Sequence, residues 1–176
     1  MQSRLPFSNP HDSNRPGIIA LEVLLLFPIL VILLLAVVEF GLILAAAKHV
    51  EFAARLGARL AAEASNLEDF NSPSAMNNLK SQVDRSLNTA GYTGSCQVIL
   101  EHNASGLSNP SQPNPLLADC PCTPDVGPID SLPSGGVRVT VCLEMAGNIP
   151  NCLSTFGFDI TGCTLRQSVV WVYERR

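Results

Sequence analysis

The chain has 176 residues, of which 47% are hydrophobic and only 15% are charged, and its formal net charge is -4. This length suits one modest domain with an appended segment. The low share of charged residues indicates that one segment is unusually apolar. Because no basic surplus is available to hold a polyanion, the composition argues against nucleic-acid binding.

The apolar residues are concentrated near the amino terminus, between Gly17 and Ala47. No charged side chain interrupts the run from Val23 to Val38. Since a helix rises about 1.5 Å per residue, the apolar stretch is longer than a hydrocarbon core of about 30 Å requires. We therefore predict a leader over residues 1–17 and one membrane-spanning helix over residues 18–47, with the lipid bilayer as its partner.

A cleaved signal peptide is the alternative to a permanent anchor, because Arg15 and the three alanines at residues 45–47 imitate its two ends. The apolar run is, however, longer than the roughly 7–15 residues of a signal peptide, and it carries Glu22 and Glu39. These features favour a helix that stays in the membrane.

The orientation of the helix follows from the cysteines rather than from the basic residues. Lysine and arginine counts on the two sides slightly favour a cytoplasmic carboxyl terminus. All six cysteines, however, come after the apolar segment, and disulfides need an oxidising compartment. We therefore expect a cytoplasmic amino terminus and an extracytoplasmic carboxyl terminus.

The six cysteines are disulfide candidates, and they allow fifteen pairings among which sequence does not select. Cys120 and Cys122 flank a proline and are expected to pair with different partners. A metal site is the rival interpretation, but the paired C-x-x-C spacing of zinc ribbons is absent. We expect neither a metal nor another cofactor. The candidates are Cys96, Cys120, Cys122, Cys142, Cys152 and Cys163.

Residues 48–90 are predicted to form a helical stalk and a second amphipathic helix. Small apolar residues recur at helical spacing from Val50 to Ala64, and they suit packing either on the chain's own domain or on a partner subunit. The second helix begins at Pro73 and ends near Gly91. Its apolar stripe consists of Met76, Leu79, Val83 and Leu87.

Residues 91–176 are predicted to form an extracytoplasmic, cysteine-rich β domain. Alternation of apolar and polar residues indicates strands near residues 96–101, 137–145 and 164–174, with a long loop over residues 103–136. The fold class is therefore α+β: a long transmembrane helix continues into an amphipathic helix, and a small disulfide-bonded antiparallel β-rich domain follows.

The chain carries no pattern typical of an enzyme. Of its three histidines only His102 falls in the folded part, and the nucleophile-elbow, zinc-protease and phosphate-loop motifs are absent from the sequence. We therefore expect a non-enzymatic protein.

The carboxylate of Glu22 is the most informative polar group, because an ionisable side chain in an apolar helix usually has a partner. A cut between Gly17 and Ile18 would create an amino group on the same helical face, about 6 Å away along the axis. In staggered helices, Glu22 of one subunit would neutralise the amine of its neighbour. The alternative is an uncut chain in which Glu22 is solvated at the headgroup level.

Three further charged residues are candidates for pairing between helices. Glu39 is expected near the outer membrane interface or opposite another helix, and Arg55 and Arg59 carry complementary charge. Each arginine also has a glutamate four residues away on its own helix, at a spacing where the two side chains meet.

The residues from Gly17 to Glu22, a glycine followed by four apolar residues and a glutamate, resemble the prepilin cleavage motif. The stretch Val38-Glu39-Phe40-Gly41, together with residues 53–59, is similar to the TadE-like family. These proteins are minor pilins or pseudopilins of the tight-adherence (Tad/Flp) pilus system. The run at residues 21–25 also resembles type II secretion pseudopilins and type IV pilins.

The resemblance implies a role in pilus assembly at the bacterial inner membrane, as a single-pass protein that can enter a pilus. A membrane aspartyl prepilin peptidase would cut between Gly17 and Ile18, and Glu22 would be the recognition and assembly carboxylate. The implied partners are other pilin-like subunits and the Tad inner-membrane assembly proteins. Two alternatives remain: a secreted cysteine-rich binding protein released after Ala47, and a membrane-tethered binding module that is never cut.

Overall fold

The computed structural model describes residues 15–64, 73–103, 112–113, 120, 122, 132–133 and 135–172. Most of the leader, most of the predicted loop over residues 103–136, and the last four residues lie outside these ranges. The elements are α1 (Arg15–Ala62), α2 (Pro73–Thr89), β1 (Gln97–His102), β2 (Gln112–Pro113), β3 (Gly136–Glu144), a 3-10 helix (Ser154–Phe156) and β4 (Thr164–Val172).

The first helix is a single rod. It has 48 residues and continues without a break through Pro28, so it is about 72 Å long. The predicted membrane helix and its helical continuation are therefore one element. Its two halves differ in their surroundings: the first half is exposed, whereas the second half contributes to the core of the domain.

The small residues in the second half of α1 pack against the chain's own domain. Ala53, Ala54, Ala58 and Ala61 are fully buried there. Gly57 lies where α1 meets α2 and β3, since a Cβ atom built on it would be 3.1 Å from Val139 Cγ1. The stripe predicted from the sequence thus allows the helix backbone to approach the sheet and α2 closely.

The second helix covers part of the same core. Its four buried side chains are those of the predicted stripe, Met76, Leu79, Val83 and Leu87. They share one hydrophobic cluster with α1 and with one face of the sheet. The sequence pattern therefore located this helix and its buried face correctly.

The four strands form an antiparallel sheet in the order β2-β1-β3-β4. In the register, Leu100 of β1 lies opposite Val139 of β3, and Val139 lies opposite Val169 of β4. The two-residue β2 was not expected from the sequence. The α+β class with an antiparallel, disulfide-bonded domain is confirmed.

The central strands are buried on both faces. Val137, Val139 and Val141 face the helices, while Thr140 and Cys142 on the opposite face are also inaccessible to solvent. An antiparallel sheet commonly has one solvated face, but both faces of β3 are covered here. On that second face the disulfide Cys122–Cys142 attaches residue 122 of the long connection to the sheet.

Candidate functional site

The first half of α1 is a bare apolar helix. Every described side chain from Ile19 to Val38 is exposed or half-exposed. The exposed large hydrophobic ones are 39–74% exposed, and Ile32 and Leu35 are half-buried. This segment has about 20 residues and is about 30 Å long, which equals the thickness of a hydrocarbon core. Among the described residues, α1 is the one helix long and apolar enough to cross a membrane.

The predicted processing site lies at the beginning of this helix. Gly17 and Ile18 belong to the first turn and a half of α1, although the surroundings of their side chains are outside what the structure describes. Glu22 is exposed one turn later. Within the described part of the chain no ion pair joins Glu22 to another residue.

The domain begins to pack against α1 at Glu39. This side chain is 0% exposed, and its Oε2 accepts a hydrogen bond of 2.8 Å from the backbone N–H of Leu153. Its Oε1 is also buried and has no hydrogen-bond partner among the described residues. Glu39 is therefore not at an open helix surface, but at the contact between α1 and the β3–β4 loop, residues 145–163.

A second hydrophobic cluster extends this contact along α1. Ala46 packs with Met145, Ile149 and Ile160 of the β3–β4 loop. Nearer the apolar half, the rings of Phe40 and Phe158 are 5.3 Å apart between centroids. Residues 39–46 of α1 and the β3–β4 loop together form what we call the junction.

Arg55 and Arg59 lie nearer the carboxyl end of α1, and each forms an ion pair with a nearby glutamate. Arg55 pairs with Glu51, and Arg59 Nε donates to Glu63 Oε1 at 2.7 Å. A hydrogen bond from Lys48 and the charge of Arg55 lower the pKa of Glu51, and the hydrogen bond to Glu63 raises the pKa of Arg59. Because Arg55 is about 24 Å along the axis from Glu39, the structure does not bring these candidates together.

The six cysteines fall into two groups. Cys96 is bonded to Cys120 and Cys122 to Cys142, so the two residues that flank Pro121 have different partners. Cys152 and Cys163 are exposed thiols in the β3–β4 loop. No group of three metal-ligating side chains lies together in the ranges that the structure describes.

Sequence reasoning missed the junction. Its partners come from a loop with no periodic pattern, and Leu153 contributes a backbone group that any residue possesses. The available signal was Glu39 itself, since a carboxylate at the end of a long apolar run needs a hydrogen-bond donor.

The family model of the TadE-like proteins matches residues 17–59. The chain carries a TadE-like segment. This segment begins at the predicted cleavage glycine, includes the bare apolar half of α1 and the α1 side of the junction, and ends among the buried alanines. It contains neither α2 nor any strand. No curated protein and no solved structure matches the chain.

The match confirms the resemblance found in the sequence. The TadE-like family is related to components of the Tad pilus and is a family of structural proteins. The TadE-like segment also coincides with the helix that is long and apolar enough to cross a membrane, which is consistent with membrane anchoring.

Proposed function

We propose that the protein is a non-enzymatic minor pilin or pseudopilin that acts in Tad/Flp pilus assembly from the bacterial inner membrane. The observation that carries this proposal is the coincidence of the TadE-like segment with a two-part helix. The first part is bare and has the length of a bilayer, and the second part is the core helix of a domain.

The lipid-embedded part is Ile19–Val38, and residues 1–17 are a cytoplasmic leader. Composition alone extends the span to residue 47, but Glu39 and Ala46 are buried against the β3–β4 loop, so lipid cannot surround them. Residues 48–90 then serve as helical stalk and second helix, and residues 91–176 as the extracytoplasmic domain. The two disulfides support this orientation, because they need an oxidising compartment.

Processing by a prepilin peptidase between Gly17 and Ile18 would leave a new amino group one turn before Glu22. The exposure of Glu22 along a bare helix leaves its carboxylate free to pair with the amine of a neighbouring subunit. Burial of two opposite charges together lowers the cost that each would have alone in lipid, and the pair fixes the stagger of the helices. Other pilin-like subunits and the Tad inner-membrane assembly proteins are the proposed partners.

The packing of α1 disfavours release after Ala47. Such a cut would remove Glu39, which binds Leu153, and Ala46, which lies in the second hydrophobic cluster. A secreted form would therefore lack the α1 side of the junction. The surface of the β3–β4 loop that α1 covers would be exposed.

Co-purification from the native membrane tests the proposal. The Glu22→Ala variant should insert into the membrane normally but no longer retain other pilus components. Glu63→Ala, which replaces an exposed glutamate directly after α1, should retain them. Equal retention by both variants would contradict the proposed charge pairing. Absence of pilus components with the unmodified chain would contradict the assembly role.

A further inference from the structure

Three exposed phenylalanines lie at the end of the domain that is nearest the bare half of α1. Phe40 is 49% exposed, Phe156 56% and Phe158 38%. The rings of Phe40 and Phe158 are in contact, and Phe156 ends the 3-10 helix two residues before Phe158. We call these three side chains the aromatic cluster.

The backbone of Leu153 holds the aromatic cluster at the level of Glu39. Its N–H donates to the carboxylate of Glu39, and its carbonyl accepts from the N–H groups of Phe156 and Phe158 at 2.9 and 3.3 Å. Gly157 between the two phenylalanines has a φ of +90°, a conformation that glycine adopts without strain and that closes this turn. The two loop phenylalanines are thus tied to the same turn of α1 that carries Phe40.

This level coincides with the expected surface of the bilayer. Ile19–Val38 is about 30 Å long, so when it spans the hydrocarbon core, Glu39 and Phe40 lie at its boundary. By contrast Phe52, which is 62% exposed on the same helix, lies about 18 Å farther from the membrane. The aromatic cluster directly follows the membrane-length surface, whereas Phe52 lies about three helical turns beyond Phe40, past the charged pair of Lys48 and Glu51.

We propose that the aromatic cluster inserts into the lipid interface and seats the domain on the extracytoplasmic surface of the membrane. This inference rests on the proposed function, because it requires Ile19–Val38 to span the bilayer. Aromatic side chains suit the boundary between headgroups and acyl chains, and their transfer out of water is favourable.

The charges of the β3–β4 loop define the kind of lipid contact. Residues 145–163 contain no lysine or arginine, so attraction to anionic headgroups does not contribute, and the contact is apolar. The one charged residue in the loop, Asp159, is exposed. Its Oδ1 accepts hydrogen bonds from the hydroxyl and the N–H of Thr161 and from Asn151 Nδ2, and these bonds lower its pKa. Because a charged carboxylate is costly to move into hydrocarbon, this exposed position limits insertion to the interface.

Insertion of the aromatic cluster would give the protein a second attachment to the membrane, in addition to the spanning part of α1. The tilt of a single membrane helix is set by the anchoring residues that flank it. With the aromatic cluster in the interface and the Glu39–Leu153 hydrogen bond joining loop to helix, the tilt of α1 and the orientation of the domain become fixed together. An assembling subunit then presents a constant face to its neighbours.

Tryptophan fluorescence in vesicles of zwitterionic phosphatidylcholine tests this proposal on the full chain. The sequence contains one tryptophan, Trp171, so Trp171→Phe gives a silent background. Single tryptophans are then introduced as Phe156→Trp or Phe158→Trp in the aromatic cluster, Leu30→Trp within the span, and Phe52→Trp as the matched exposed control. Each is compared in lipids brominated near the headgroup and near the bilayer centre.

We expect Leu30→Trp to be quenched most by bromine at the bilayer centre and Phe156→Trp most by bromine near the headgroup, with a blue-shifted emission, while Phe52→Trp is unaffected. Quenching of Leu30→Trp without quenching at positions 156 and 158 would overturn the seating proposal and leave the anchor intact. A blue shift at those positions that depends on protein density and not on lipid bromine would assign the surface to a second copy instead. Equal quenching of Phe52→Trp would also contradict the proposal, and an unquenched Leu30→Trp would overturn the membrane span itself.

Discussion

The Glu39 carboxylate accepts a hydrogen bond from the backbone N–H of Leu153, a residue 114 positions later in the chain. This contact marks the point where α1 ceases to be bare and begins to carry the domain. Ile19–Val38 before it has the length of a membrane span, whereas the helix after it buries one face against the domain. The TadE-like segment extends across this point.

Replacement of Glu39 should loosen the junction. In Glu39→Ala the N–H of Leu153 remains buried without its acceptor, and we expect a loss of about 1–3 kcal/mol in the free energy of unfolding. Glu39→Gln keeps an acceptor oxygen and should lose less. Denaturant unfolding in detergent and hydrogen exchange of the Leu153 amide measure both effects. Glu63→Ala, which removes only an exposed pair, is the control; an equal loss in Glu63→Ala and Glu39→Ala would contradict the role of the junction.

The close approach of α1 to the sheet makes Gly57 intolerant of larger residues. A Cβ atom there would lie 3.1 Å from Val139 Cγ1 and 3.2 Å from Val83 Cγ2. Gly57→Leu should therefore lower the free energy of unfolding by about 1–3 kcal/mol or more through overpacking. Gly41 on the same helix has nothing within 4 Å of its Cβ position, so Gly41→Leu should be neutral or stabilising. Equal effects of the two substitutions on the unfolding midpoint would refute this packing.

The two disulfides should be essential to the sheet, and the two remaining cysteines should not. Loss of the Cys122–Cys142 bond in the double serine variant is expected to cost about 2–4 kcal/mol. Serine at both Cys152 and Cys163 should leave the unfolding midpoint unchanged, because these thiols are exposed and unbonded. Mass spectrometry of the unreduced, digested protein checks the pairing directly, and a peptide linking Cys96 to Cys122 would show that the connectivity is wrong.

The Asp159 carboxyl should titrate below its ordinary value. The hydrogen bond from the Thr161 hydroxyl lowers its pKa most, followed by those from the Thr161 N–H and the Asn151 amide. Because the pKa is lower in the folded than in the unfolded protein, the stabilisation is present above a pH of about 3.9 and is lost as the pH falls through the folded pKa. Carboxyl NMR titration measures this shift. Thr161→Val should raise the pKa towards its ordinary value, and an unchanged titration in that variant would contradict the assignment.

The sequence predicted the elements that depend on local pattern. The apolar run predicted the membrane part of α1, and four apolar residues predicted the buried face of α2. Alternation of apolar and polar residues predicted the three longer strands. In each case one periodic signal determines both the structure and the face that is buried. The TadE-like resemblance was found from a different signal, the motif residues at 38–41 and 53–59, which lie within the matched segment.

The features that sequence did not predict depend on contacts between distant residues. β2 has two residues, one of them Pro113, and is too short to show a period. Disulfide pairing among six cysteines depends on the fold that brings them together. The junction joins a helix to an irregular loop through a backbone N–H, and a backbone contact cannot be identified from the residue types in the sequence.

The mature amino terminus of the protein, isolated from the membrane fraction of the native bacterium, is the most direct test of the account. Intact-mass spectrometry should give a chain that begins at Ile18 and retains the whole bare half of α1. A soluble chain beginning at Lys48 would mean that the apolar helix is a discarded signal rather than an anchor, and it would contradict the proposed function.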